Sequence, residues 1–197
     1  WLRTKNERYH TLASFWTKIF AVSFGMGVVS GIVLSYQFGT NWSEYSRIVG
    51  NVVAPLIGYE VLTAFFLEAT FLGIMLFGWN RVPPWLHFTA SVLVALGTTM
   101  SAFWILSANS WMQYPVGHAM ENGIAVPVDW LQIIFSPTFP TRLLHMVIAA
   151  YITTAFVVFA IGARYWLQGR FIDHAETMLR MALGLLLVLV PLQMLVG

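Results

Sequence analysis

The sequence contains no cysteine, which excludes disulfides, iron–sulfur clusters and thiolate metal sites. Charge is scarce as well. Only 9% of the 197 residues are Asp, Glu, Lys or Arg, against about 25% in a soluble domain whose surface must be solvated. The formal net charge is +2 and no basic cluster is present, so a nucleic-acid backbone has nothing to grip it. No internal repeat, low-complexity stretch or hydrophilic domain interrupts the chain. What is there is apolar. Hydrophobic residues make up 58% of the chain and mean hydropathy is +0.73, too apolar to clothe a water-facing globule. Nine tryptophans suit a protein anchored at two membrane interfaces.

The expected fold is all-α, a polytopic transmembrane helical bundle. A spanning helix needs roughly 20 mostly apolar residues. Five stretches qualify, at about 15–36, 52–79, 84–108, 141–162 and 178–197, within a single transmembrane domain over 1–197. Pro83-Pro84 reads as the start of the third helix, because proline suits a first helical turn. The segment 109–140 carries Pro115, Pro127, Pro137 and Pro140 and reads as a long connection, a structured loop at best. The opening at Trp1 and the apolar run reaching Gly197 suggest a piece of a longer protein.

Charge asymmetry orients the bundle. Segments on one side hold Arg3, Lys5, Arg8, Lys18, Arg81, Arg164, Arg170 and Arg180, while the other side holds only Arg47 and Arg142. Basic residues favour the cytoplasmic side, so the N-terminal segment is expected inside and loop 109–140 outside. Trp42, Trp111 and Tyr114 would then line the outer interface, and Trp79, Trp85 and Trp166 the inner one.

Two acids fall inside the second span. Glu60 and Glu68 are eight residues apart, about 12 Å of rise and about 80° around an α-helix, so both can face one side of a bundle. An ionised acid in hydrocarbon costs on the order of 3 kcal/mol on insertion scales, and such residues are rare and usually functional. They point to proton handling or ion binding; the plainer reading is a carboxyl satisfied by an interhelical hydrogen bond. Ser101, in the third span, could donate to a carboxyl or bond its own helix. His145 lies one turn into the fourth span with Arg142 three residues before it on the same face. Imidazole is a common axial ligand for haem iron, and arginine pairs with a propionate; equally, His145 could be a packing residue and Arg142 an interface arginine. His87 falls at the opposite membrane face from His145, so the two cannot sandwich one haem. It reads as an interface residue, while His10, His118 and His174 fall in loops and are assigned nothing. Met146 adjoins His145 and cannot serve as the ligand across the iron.

Four strings add a resemblance. QFGTNWS (Gln37 to Ser43), TAFFLEATFLGIMLFGW (Thr63 to Trp79), SAFWILSANSWMQ (Ser101 to Gln113) and RLLHMVIAAY (Arg142 to Tyr151) occur in that order. Together they closely resemble subunit I of the cytochrome bd-type ubiquinol oxidases, including the cyanide-insensitive branch, over nearly the whole chain.

The resemblance implies a multi-pass protein of the bacterial inner membrane that oxidises quinol at the outer face and reduces dioxygen to water. It implies a low-spin haem b, a high-spin haem b, and a haem d or a haem b in its place. Subunit II is the implied partner, with a small accessory subunit in some members. His145 matches the ligand to the low-spin haem b, Glu60 the glutamate near the oxygen-site haems, and Glu68 a glutamate of the proton route, with Ser101 in the same region. Arg142 stands where the family has a basic residue beside the low-spin haem, and its pairing with a propionate is inferred. The family's first helix with its histidine ligand, its quinol-binding loop, a haem-ligating methionine and a further glutamate find no match here. The chain by itself is therefore expected not to turn over oxygen. Two other readings compete: a secondary transporter or channel coupled through Glu60 and Glu68, and a non-catalytic quinone-linked anchor subunit.

Overall fold

A computed structural model describes all 197 residues, Trp1–Gly197. Helices dominate because long apolar runs in lipid must satisfy every backbone N–H and C=O internally. In chain order they are α1 (Glu7–Gly39), α2 (Ser43–Glu60), a π-turn (Val61–Phe65), α3 (Phe66–Phe77), α4 (Pro84–Gln113), a hairpin of β1 (His118–Glu121) and β2 (Ile124–Pro127), α5 (Trp130–Ile134), α6 (Phe139–Leu167) and α7 (Ile172–Val196). Five helical segments are long and apolar enough to cross a membrane; α2, the π-turn and α3 form one of them, and α5 continues into α6 in another. The helices overrun the hydropathic stretches. Pro55 lies inside α2.

Two compact units divide the chain: Ala13–Phe139 with Leu2, and Pro140–Gly197 with Trp1 and Arg3–Leu12. In the first, the core gathers Val52, Val53 and Leu56 of α2, Ala108 and Trp111 of α4, Ala125 of β2 and Ile133 of α5. The segment 109–140 is thus more than a connecting loop. Asn122 and Gly123 take positive φ of 51° and 78°, the backbone of a tight two-residue hairpin turn. Val128 and Asp129 each donate a backbone bond of 2.9 Å to the Gly117 carbonyl. Asp129 then caps α5, accepting from the N–H groups of Leu131 at 2.9 Å and Gln132 at 3.2 Å. Ser107 ties α5 to α4 by donating to the Ile134 carbonyl at 2.9 Å. Trp111, expected as an interface anchor, is 2% exposed. Its indole N–H donates to the Val116 carbonyl at 2.9 Å, so it belongs to this core.

In the second unit α6 and α7 cross closely. A Cβ on Gly162 would stand 3.2 Å from the Met178 Cβ and 3.3 Å from the Ala175 carbonyl, the close backbone approach small residues permit in lipid. Ala175, Met178, Ala182 and Leu186 of α7 are buried. Arg8, at the start of α1, pairs with Asp173 at 3.6 Å. His10 and His174, expected in loops, lie within α1 and α7.

Candidate functional site

Glu68 is 7% exposed and is the one buried carboxylate of the chain. Its place is made by α4. Gly97 leaves the gap it occupies: a Cβ there would fall 2.5 Å from the Glu68 Cγ, 3.3 Å from the Ala64 carbonyl and 3.4 Å from the Glu68 nitrogen. One residue along, the Thr98 side chain stands beside Glu68. Its single hydroxyl hydrogen goes to the Val94 carbonyl at 3.1 Å, so towards Glu68 its oxygen can accept. Glu60, half-buried, accepts a bond of 2.8 Å from the Ser101 hydroxyl. Thr98 and Ser101 are one helical turn apart on α4 and so share a face. That face supplies a hydroxyl to each acid.

The relative setting of the two acids differs from the sequence expectation. Uniform α-helix would put Glu60 and Glu68 about 80° apart. The π-turn lies between them, and its exit is the bond from the Phe66 N–H five residues back to the Val61 carbonyl. One such turn takes up one extra residue. Eight residues then advance about as far as seven, roughly 700°, or about 20° short of two full turns. The acids come almost into line along the helix.

His145 sits in the other unit, half-buried on α6. The Gln193 amide nitrogen of α7 lies 2.9 Å from its Nδ1 and 3.1 Å from its Nε2. A neutral imidazole has a single acceptor nitrogen, for which an amide N–H and an iron would compete; a ligating histidine instead donates its other ring N–H, which the Gln193 amide would accept if turned to present Oε1. The Gln193 Oε1 is buried with no hydrogen-bond partner. Nowhere do three or more His, Asp or Glu side chains converge as they would around a bare metal ion. Iron in a tetrapyrrole asks only an axial ligand of the protein, and His145 with its amide neighbour fits that demand. Arg142 lies one turn before it, half-buried.

His87 is satisfied structurally: its Nε2 lies 2.9 Å from the Met75 carbonyl and its ring is 4.2 Å from that of Trp79. His118 stands on β1 with its ring against Trp111.

Gly97, Thr98 and Gln193 do not stand out in the sequence. A glycine four residues before Ser101 was the available hint for the first, and a lone amide in the last apolar run for Gln193.

A family model described as cytochrome bd terminal oxidase subunit I matches residues 1–197. The cytochrome bd-II ubiquinol oxidase subunit 1 of Escherichia coli is 42% identical over 164 residues, which cover 82% of this chain and 32% of that protein. The cytochrome bd ubiquinol oxidase subunit 1 of Bacillus subtilis is 44% identical over 163 residues, 83% of this chain and 35% of that one. The solved structure of the bd oxidase from Geobacillus thermodenitrificans superposes with a TM-score of 0.93 at 30% identity, covering all of this chain and 45% of its counterpart. The chain spans about a third of the length of these curated relatives.

Proposed function

Because the chain belongs to the cytochrome bd terminal oxidase subunit I family, we propose that it is the part of a membrane quinol oxidase that carries a haem ligand and protons for dioxygen reduction. The observation that carries this reading is the pair of acids on one helix inside apolar spans, Glu60 bonded to the Ser101 hydroxyl and Glu68 buried against Gly97 and Thr98 of the same α4 face.

Oxidation of two quinols releases four electrons and four protons, and reducing one dioxygen to two waters consumes four of each. Haem, when bound, supplies the one-electron steps and the dioxygen chemistry. The remaining work falls to side chains. His145 would hold the low-spin haem b through one ring nitrogen and donate its other ring N–H to the Gln193 amide oxygen, the outer-sphere bond that orients a ligating histidine. Arg142 would neutralise a propionate. Glu60 and Glu68 would hold protons in turn, with the Ser101 hydroxyl able to donate to a carboxylate and the Thr98 oxygen able to accept from a carboxylic acid. A high-spin haem b, and a haem d or a further haem b, would complete the oxygen site with ligands from other parts of the full protein, beside subunit II and a small accessory subunit.

The N-terminal segment is placed in the cytoplasm and the hairpin segment outside, on the eight-to-two distribution of basic residues. Protons leaving quinol outside and protons drawn from inside would charge the membrane without a separate pump. The sequence carries no repeat of the kind transporters use and the family is that of an oxidase subunit, so the carboxylates read as a proton route within an oxidase.

The test is quinol-driven oxygen uptake by the full-length complex carrying Glu68→Gln. Uptake is expected to fall by roughly a hundredfold, the lower end of what a positioned proton-transfer group contributes, with haem content retained. Wild-type uptake in that variant would remove the proton role.

A further inference from the structure

The π-turn breaks the regular backbone ladder of its helix, and such turns recur at functional sites. Two side chains hold this one. The Thr63 hydroxyl, in the middle of the turn, donates to the Tyr59 carbonyl at 2.6 Å. The same hydroxyl accepts the Trp104 indole N–H at 2.9 Å. The Trp104 ring also stacks on Tyr59, with centroids 5.3 Å apart and planes 21° from parallel. Trp104 therefore grips the helix both just before the turn and within it. It lies one turn beyond Ser101 on α4, and Ser101 holds Glu60. One stretch of α4 thus fastens the first acid and the turn that follows it, and the neighbouring Gly97 and Thr98 seat the second acid.

We propose that Thr63 and Trp104 are positioning residues whose hydrogen bond holds the π-turn and so keeps Glu60 and Glu68 on one face of the helix. The proposal rests on the reading that these acids carry protons, and it adds what sets their alignment. Should the turn relax into α-helix, the angle between the acids would change by about 100°, the rotation of one residue. At most one of them could then keep its hydroxyl partner on α4. Interhelical Trp–Thr bonding is also ordinary packing glue in membranes, so a readout on the carboxyls themselves is needed.

The experiment uses the full-length, haem-loaded complex with Thr63→Val, Trp104→Phe and Thr63→Ser, and with Glu60→Gln and Glu68→Gln as references. Three quantities are measured: haem content, quinol-driven oxygen uptake and the carboxyl C=O bands of the redox-induced infrared difference spectrum. The Gln references assign those bands. Thr63→Val and Trp104→Phe are expected to slow uptake by about tenfold or more, as ångström-scale misplacement does. Haem content should stay unchanged and the assigned carboxyl bands should shift, and Thr63→Ser, which keeps the hydroxyl, should restore both rate and bands. Unmoved carboxyl bands in Thr63→Val and Trp104→Phe overturn the positioning role, whatever the rate. Trp104→Phe decides the matter if Thr63→Val fails to assemble. Wild-type uptake in Glu68→Gln brings down the proton reading itself; a slow Glu68→Gln beside wild-type Thr63→Val and Trp104→Phe brings down only the positioning.

Discussion

At Gly97 the α4 backbone comes so near Glu68 that any added Cβ would lie 2.5 Å from the glutamate Cγ, well inside van der Waals contact. Gly97→Ala must therefore push either the side chain or the helix. Overpacking of this kind costs about 1–3 kcal/mol. The expected result is a lower Tm for the purified complex together with slower oxygen uptake, since the carboxyl leaves its place beside Thr98. A Gly97→Ala protein with unchanged Tm and rate would show that Glu68 has room the structure does not display. At this scale the sequence was informative about chemistry and silent about partners. Glu60 and Glu68 announced themselves because charge is rare in apolar spans. Ser101 left two options open, and the structure selects the bond to Glu60 over one to its own helix. Gln193 passed unnoticed, because an amide near a helix end is common and only folding brings it to His145.

Among the elements, the helices follow from hydropathy, while their internal register does not. Glu60 and Glu68 appear about 80° apart to any reading that assumes 3.6 residues per turn. The π-turn that realigns them depends on the Trp104 contact from another helix, a tertiary cause that no local pattern in α2 or α3 encodes. The hairpin was more legible than it seemed. Glu-Asn-Gly-Ile at 121–124 carries the Asn-Gly turn signal, but four-residue strands between prolines give too short an alternation to register. The same hairpin offers a check on orientation. These 197 residues have no cysteine, so in the full-length protein, with any cysteine elsewhere replaced, a single one can be placed at exposed Glu121 or at exposed Arg170. With a membrane-impermeant maleimide applied outside spheroplasts, Glu121→Cys is expected to label and Arg170→Cys to stay unlabelled until the membrane is opened. The reverse pattern would invert the proposed topology.

For the whole molecule, scarcity of charge already dictated a helical bundle in lipid, and the five long apolar helices agree with it. The haem site was less legible. A single histidine in an apolar helix can be packing or ligand, and the proposal that His145 is a ligand comes from the resemblance of the RLLHMVIAAY string rather than from its spacing. In the structure its ring meets the Gln193 amide of α7. The account as a whole needs His145 to hold iron, since the acids have no oxidase role without electrons to meet their protons. The reduced-minus-oxidised optical spectrum of the full-length complex, wild type against His145→Ala, tests that need directly. The wild-type spectrum should contain a low-spin haem b signal that His145→Ala loses, while the other haem signals persist. An unaltered low-spin signal in His145→Ala would contradict the account.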